Sequence, residues 1–180
     1  CGTGGNLCML ADEGFNTYGI DFSSESIKVL KKILLKKKLK ANLFVGNMIK
    51  LPFKSNIFNA VVDIFSSTHL NKKNGKKFIR ETSRVLKKNG LFFSYFPSKK
   101  SLMFKSKKKK LIDSDTIIYL NDKKYAYRIK NIPFRFMSKK NYILLLKKNK
   151  IKTIYSEEIE KTYNNGNEKF SFICIAGKKI

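Results

Sequence analysis

The sequence predicts a doubly wound α/β fold, a mostly parallel β-sheet with helices on both faces. Amphipathic segments with helical spacing alternate with short apolar segments, the order produced when helices connect parallel strands. Residues 58–65 and 91–96 are almost continuously apolar, as strands buried on both faces are. Two further apolar strands at the end of the chain predict an antiparallel hairpin at one edge of the sheet.

In the first half of the chain, stop signals and caps delimit each element. Gly14 is suited to end the first helix, and Ser23 or Ser24 to cap the second. The predicted elements are a loop over residues 1–5, a helix over 6–14, a strand over 18–21, a helix from 24 to about 39 and a strand over 42–45.

The middle of the chain continues this alternation, with Asn89-Gly90 and Pro97 as stop signals. The predicted elements are a strand over residues 58–65, a loop over 71–75, a helix over 76–88 and a strand over 91–96. The aromatic residues of the strand over 91–96 are interpreted as core residues; they are Phe92, Phe93, Tyr95 and Phe96.

Residues 98–137, called the insertion below, break the alternation. They contain a lysine cluster at 105–110, interpreted as a solvated loop with phosphate binding as the alternative. Two strands, 115–120 and 124–130, are predicted to form a hairpin that turns at Asn121-Asp122. We expect the insertion to act as a lid over the carboxyl edge of the sheet. The remaining elements are a helix from Ser138 to about residue 148 and strands over 151–157 and 170–176.

Length and composition favour one domain over residues 1–180. The chain is 42% hydrophobic and 13% aromatic, which suffices for an apolar core. No apolar run approaches the roughly 18–20 residues of a membrane helix, so no membrane span is expected. Three widely spaced cysteines do not make a disulfide framework and favour a cytoplasmic location.

The net charge of +26 raises nucleic acid or an anionic membrane as a partner. All but four of the 39 basic residues are lysines, whereas specific readers of bases and phosphates usually depend on arginine. The preferred interpretation is therefore a solvated lysine surface.

A glycine loop and a strand-end aspartate indicate a nucleoside-type ligand. The loop at residues 1–5 leads directly into a helix, whose free N–H groups attract anionic groups. Asp21 ends the next strand, where doubly wound folds bind ribose hydroxyls. Leu7 occupies the third small position of the dinucleotide fingerprint, which disfavours NAD and FAD.

Four segments together resemble the class I S-adenosylmethionine-dependent methyltransferases of the small-molecule type. They cover the family's glycine motif, ribose-binding strand, adenine loop and the turn before its fifth strand. In this chain they read Cys1-Gly2-Thr3-Gly4, Tyr18-Gly19-Ile20-Asp21-Phe22-Ser23, Gly46-Asn47-Met48 with Leu51-Pro52-Phe53, and Arg84-Val85-Leu86-Lys87-Lys88-Asn89-Gly90. The likeness covers residues 1–96 and, more loosely, 138–180, and implies a Rossmann-like sheet.

The resemblance implies S-adenosylmethionine as the cofactor and a role for each matching residue. The implied contacts are Gly2 and Gly4 with the methionine part, Asp21 with the ribose, Phe22 beside the adenine, Asn47 and Met48 with the adenine edge, and Asp63, Ile64 and Phe65 with the methionine and sulfonium end. No metal site is implied.

Three departures from the family pattern accompany the resemblance. The chain begins inside the glycine motif, so we expect a truncated sequence that lacks the family's first strand. Asn47 stands where the adenine loop usually has aspartate, and Asn59 where the fourth strand usually opens with one. An amide carbonyl can still accept from the adenine amino group.

His69 is the single histidine and follows the fourth family strand. It is a candidate general base for an acceptor hydroxyl or amine. The alternative is a histidine with a satisfied hydrogen bond and no catalytic role, because methyl transfer often needs only positioning and desolvation.

Three functions remain open from the sequence. The first is methyl transfer from S-adenosylmethionine to a small-molecule acceptor chosen by the insertion. The second is methylation of tRNA or rRNA, supported by the charge and the lysine cluster but not by any appended RNA-binding module. The third is a non-catalytic remnant, suggested by the missing first strand.

Overall fold

The computed structural model describes residues 1–107, 109–119 and 132–180, and these form two compact units, Cys1–Pro52 and Phe53–Ile180. The first unit contains helix α1 (Gly5–Asp12), strand β1 (Tyr18–Asp21), helix α2 (Ser24–Lys37) and strand β2 (Asn42–Val45). The single domain over residues 1–180 stays a prediction.

In the first unit, two helices pack beside a two-stranded parallel sheet. Strands β1 and β2 pair with Tyr18 opposite Asn42 and Asp21 opposite Val45. Ser23 caps α2, since its hydroxyl accepts from the Ser26 N–H at 3.1 Å. The core shared by α1 and α2 is small and contains Leu7, Cys8, Leu30 and Leu34. Because β1 and β2 are parallel, their carboxyl ends lie at one edge of the sheet.

The second unit is larger, and its described residues form two sheets. Its elements are β3 (Phe58–Ile64), a 3₁₀ helix (Ser67–His69), α3 (Lys72–Val85), β4 (Leu86–Pro97), α4 (Leu102–Lys105), β5 (Lys109–Leu111), β6 (Thr116–Tyr119), β7 (Pro133–Arg135), α5 (Lys139–Lys148), β8 (Ile151–Tyr163) and β9 (Glu168–Lys179).

The main sheet of this unit has the order β3-β4-β9-β8. Strands β3 and β4 are parallel, whereas β9 is antiparallel to both β4 and β8. The predicted α/β architecture with a closing antiparallel hairpin is therefore confirmed. The insertion forms a separate sheet, β5-β6-β7, whose neighbouring strands are antiparallel.

An aromatic core lies where the insertion meets the main sheet. Its buried members are Met103, Ile117, Phe134, Phe136, Phe170 and Phe172. Phe172 of β9 stacks on Tyr95 of β4, with ring centroids 4.8 Å apart. Phe92 and Phe96 are fully buried, as expected for core residues, and Tyr95 is partly buried.

Several predicted boundaries were wrong. Residues 71–75 are not a loop, because Asn71 caps α3 by accepting from the Asn74 N–H at 2.9 Å. Asn89-Gly90 does not separate a helix from a strand, since β4 already begins at Leu86. Strands β8 and β9 are longer than predicted because they pair with each other from Ile151 to Tyr163.

The insertion also differs from its prediction. The strand predicted over 115–120 appears as β6, but its described partners are β5 and β7. The strand predicted over 124–130 and its turn lie outside the described residues. The lysine cluster is not a loop throughout, because Lys105 ends α4 and Lys109 begins β5. Within residues 1–107, 109–119 and 132–180, no helix is long and apolar enough to cross a membrane.

Candidate functional site

Asp21, at the carboxyl end of β1, lies against the glycine loop. Its Oδ2 accepts from the Gly2 N–H at 2.6 Å and lies 3.0 Å from the backbone nitrogen of Cys1. Its Oδ1 accepts from the Ser23 N–H at 2.9 Å. Burial raises the pKa of this carboxyl, but the hydrogen bonds from Ser23 and Gly2 outweigh burial and hold the pKa below its ordinary value. Asp21 is therefore an ionised acceptor at neutral pH.

The Asp21 carboxylate keeps room for a further donor. A carboxylate has about four acceptor positions, and the contacts from Cys1, Gly2 and Ser23 use three of them. The side chain is 22% exposed, so its remaining lone pair can meet solvent or a ligand hydroxyl.

The glycine loop exposes backbone at Gly2, whereas Gly4 is buried and a Cβ there would stand 2.1 Å from Cδ1 of Leu30. Gly2 has φ 55°, and a Cβ at this position would meet no atom within 4 Å. Gly4 has φ 87°, the left-handed conformation that favours glycine. Gly4 is also the residue that precedes α1 and provides no side-chain cap there. The N–H groups of the first turn of α1 therefore lack a side-chain acceptor from that position.

The other predicted residues of the first unit lie at the same sheet edge. Phe22 follows Asp21 and is 81% exposed. Gly46 donates its N–H to the Asp21 carbonyl at 2.8 Å, which brings the loop after β2 to the end of β1. Asn47 is exposed and Met48 is half-buried in that loop. The Asn47 side-chain carbonyl accepts from the Ile49 N–H at 3.1 Å.

In the second unit, Asp63 is buried at the end of β3 and holds the turn that follows. Its Oδ1 accepts from the Ser67 N–H at 3.0 Å, and its Oδ2 accepts from the Ser67 hydroxyl at 2.5 Å. Burial raises the pKa of Asp63, whereas the Ser67 hydrogen bonds and the charge of Arg135 oppose this rise. With 2% exposure, the Asp63 side chain serves the fold, and only its backbone can border a ligand.

The turn between Ile64 and His69 has an unusual backbone. Phe65 has φ 60°, which is rare for a bulky residue. Thr68 stabilises this conformation, since its hydroxyl donates to the Phe65 carbonyl at 2.6 Å. The Phe65 ring lies against Tyr95 and Phe172, with centroids 5.7 and 5.5 Å away.

His69 ends the 3₁₀ helix and contacts strand β7 of the insertion. Its Nδ1 lies 3.3 Å from the Pro133 carbonyl oxygen, and its ring meets Phe134 edge to face at 5.8 Å. A carbonyl can only accept, so this contact places a hydrogen on Nδ1, and in the neutral imidazole the lone pair is then on Nε2. The imidazole is otherwise exposed.

The structure thus brings the predicted residues together in two groups. Gly2, Gly4, Asp21, Phe22, Asn47 and Met48 belong to the first unit, and Asp63, Ile64 and His69 to the second. Among the described residues, no group of three or more His, Cys, Asp or Glu side chains is arranged to hold a metal ion.

Residues 1–94, more than half of the chain, match the family model described as a methyltransferase domain. The chain belongs to this family. This match confirms the predicted membership in the class I S-adenosylmethionine-dependent methyltransferases.

Two curated relatives align with this methyltransferase domain over about half of its chain. An uncharacterised protein of Methanocaldococcus jannaschii is 37% identical over 92 residues, which cover 51% of this chain and 32% of that protein. A norajmaline N-methyltransferase of Rauvolfia serpentina is 35% identical over 88 residues, which cover 47% and 30%. The aligned part is therefore about a third of the length of these relatives.

A solved structure agrees over the whole chain. The crystal structure of a SAM-dependent methyltransferase from Methanosarcina mazei aligns with a TM-score of 0.82 at 22% identity, covering 100% of this chain and 90% of that one. At that identity the likeness supports the fold alone, and it agrees with the predicted Rossmann-like sheet.

Sequence reasoning missed the insertion residues that contact the turn after β3. Pro133 and Phe134 touch His69, and Arg135 donates to the Ser67 carbonyl at 3.4 Å. One signal was available, namely Gly75, which was interpreted as part of a loop. Gly75 lies inside α3, where a Cβ would stand 1.3 Å from Nη1 of Arg135.

Proposed function

We propose that this protein transfers a methyl group from S-adenosylmethionine to a small-molecule acceptor. The observation that carries the proposal is the ionised Asp21 at the end of β1, held against the Gly2 backbone inside the segment that matches the methyltransferase model. Bound S-adenosylmethionine supplies an electrophilic methyl group on a positively charged sulfur.

The residues of the first unit fit such a cofactor. We assign the ribose to Asp21, whose carboxylate has one acceptor position left for a ribose hydroxyl and is partly exposed. The open space beside Gly2 would admit the methionine part close to the backbone. Phe22 has an exposed ring that can cover the adenine, and Asn47 and Met48 would meet its edge.

In the second unit, the turn after β3 would border the reacting end of the cofactor. Its backbone at Asp63 and Ile64 is held in place by the Ser67 hydrogen bonds to Asp63. We assign the general base to Nε2 of His69, which would take the proton of an acceptor hydroxyl or amine. The Pro133 carbonyl supports this role because, in the neutral imidazole, it favours the tautomer whose lone pair is on Nε2.

The insertion would choose the acceptor. Its strand β7 contacts His69, the proposed base, and its apolar side chains Ile117, Phe134 and Phe136 are buried in the aromatic core. A small-molecule acceptor is supported by the name of the Rauvolfia serpentina relative, an N-methyltransferase of norajmaline. The RNA acceptor, the non-catalytic remnant and the cytoplasmic location stay predictions from the sequence.

Label transfer tests the proposal and its acceptor class together. The protein is incubated with methyl-labelled S-adenosylmethionine and either the small-molecule fraction or the RNA fraction of a cell extract. We expect label in the small-molecule fraction, and loss of that label with His69→Ala and with Asp21→Ala. Label in RNA alone would overturn the small-molecule acceptor. No label in either fraction, together with no cofactor binding, would favour the remnant.

A further inference from the structure

Arg135, the last residue of β7, is a buried cation. It is 2% exposed, and its guanidinium lies 4.9 Å from the centroid of the Phe96 ring. Nη2 donates to the Ser67 carbonyl at 3.4 Å, and Nε has no hydrogen-bond partner among the residues described. A buried charge is costly unless other groups compensate it, so this placement needs a reason.

Asp63 is one of the acidic residues whose charge compensates Arg135, and it also binds Ser67. Asp63 accepts from the N–H and the hydroxyl of Ser67, while Arg135 donates to its carbonyl. Burial lowers the pKa of Arg135, and the charges of Asp63, Asp115 and Asp113 oppose this fall. All three polar groups of Ser67, the first residue of the 3₁₀ helix, are therefore engaged by two oppositely charged side chains.

Helix α3 is shaped to admit the guanidinium. A Cβ on Gly75 would stand 1.3 Å from Nη1, 2.1 Å from Cζ and 2.7 Å from Nη2 of Arg135. Glycine inside a helix is unfavourable by roughly 1 kcal/mol relative to alanine. The close approach of Arg135 accounts for a glycine as the fourth residue of α3.

Three consecutive residues of β7 contact the turn after β3. The Pro133 carbonyl meets Nδ1 of His69, the Phe134 ring meets the His69 ring, and Arg135 meets Ser67. A displacement of β7 would therefore move both ends of the 3₁₀ helix.

We infer that Arg135 is a positioning residue that ties the insertion to the turn at residues 65–69. The inference rests on the proposed function, in which the insertion selects the acceptor and the turn borders the methyl donor. Arg135 would thus couple the position of the insertion, which selects the acceptor, to the geometry of the turn, which borders the methyl donor.

Hydrogen exchange and ligand binding test this inference in the whole protein. Arg135→Met removes the charge and the donors, Arg135→Lys keeps the charge without the planar fork, and Arg80→Met is a matched control because Arg80 is exposed on α3. The amide exchange of residues 65–70 is compared with that of β8 and β9, and S-adenosylhomocysteine is titrated as the probe.

We expect Arg135→Met to speed exchange at residues 65–70 by about tenfold or more, the effect of losing a hydrogen bond to a charged group. Exchange in β8 and β9 should change little, S-adenosylhomocysteine should bind more weakly, and Arg135→Lys should lie between. Should Arg135→Met not fold, the lysine variant gives the same comparison.

The inference is overturned if exchange rises equally in all strands, or if Arg135→Met binds S-adenosylhomocysteine as tightly as the unchanged protein does. If the unchanged protein itself binds no S-adenosylhomocysteine, the proposed function fails. The exchange pattern still decides whether Arg135 holds the turn.

Discussion

Replacing Gly75 by alanine should destabilise the protein, although the same change usually stabilises a helix. An ordinary helix interior gains about 1 kcal/mol from glycine to alanine. In α3 the new Cβ would stand 1.3 Å from Nη1 and 2.1 Å from Cζ of Arg135, so the buried guanidinium must move.

The size of the effect follows from the contacts that this movement breaks. Overpacking costs about 1–3 kcal/mol, and losing a hydrogen bond to a charged group costs about 1.5–3 kcal/mol. After the helix gain is subtracted, Gly75→Ala should lower the free energy of unfolding by about 1.5–5 kcal/mol. With a typical urea slope of about 2 kcal/mol per molar, the unfolding midpoint should fall by about 0.8–2.5 M.

Urea unfolding followed by far-ultraviolet circular dichroism measures this shift. Gly5→Ala is the matched control, since a Cβ on Gly5 in α1 meets nothing within 4 Å. In an Arg135→Ala background, where the guanidinium is absent, Gly75→Ala should recover the usual helix gain. The placement of Arg135 against α3 would be refuted if Gly75→Ala alone raised the midpoint.

Four further outcomes are expected. Asn71→Ala should lower the free energy of unfolding in urea by about 0.5–2 kcal/mol, because it removes the cap of α3. Asn141→Ala should cost much less, because its backbone N–H still donates to the Ser138 cap of α5. Phe172→Ala should cost about 3–5 kcal/mol in the same assay, since it leaves a cavity beneath Tyr95. Glu158 accepts from Ser98 and pairs with Lys100, and these contacts outweigh burial and lower its pKa. Ionised Glu158 therefore stabilises the fold above the unfolded pKa of about 4.3, and this stabilisation is lost as the pH falls through the lower folded pKa. The melting temperature of Glu158→Gln should consequently fall less between neutral and acidic pH than that of the unchanged protein. Any binding to RNA should weaken steeply with salt, and an unchanged affinity after neutralising the lysine cluster at residues 105–110 would contradict an RNA acceptor.

Local signals in the sequence were sufficient for much of the fold. The bounds of β1 and β2 agree with the prediction, and Ser23 and Ser138 cap α2 and α5 as expected. These features depend on residues within one turn or one strand, so spacing and capping rules detect them. The parallel pairing of β3 with β4 likewise follows from two apolar runs joined by a helix. The expected burial of β3 on both faces was wrong, because β3 is an edge strand of its sheet in the described part of the chain and Asp63 is its only buried residue.

Features set by distant contacts were not predictable. Gly75 was interpreted as a loop residue because glycine usually breaks helices, and only Arg135, which lies 60 positions later, explains its place in α3. The lengths of β8 and β9 depend on their mutual pairing rather than on the apolar content of either strand.

The candidate site shows the same division. The positions of Gly2 and Asp21 follow from a recognisable motif, and the structure joins them by a 2.6 Å hydrogen bond. The contact of His69 with Pro133 joins segments 64 residues apart, and nothing in the local sequence around either residue indicates it.

The most direct test of the central claim is a calorimetric titration of S-adenosylhomocysteine into the protein and into Asp21→Ala. Asp12→Ala is the control, since Asp12 is an exposed carboxylate of the same unit. We expect binding by the unchanged protein and by the control, and a loss of about tenfold to a hundredfold for Asp21→Ala, which corresponds to one hydrogen bond to a charged group at about 1.5–3 kcal/mol. Equal affinity of Asp21→Ala, or no binding by the unchanged protein, would contradict the assignment of this edge of the sheet to the cofactor.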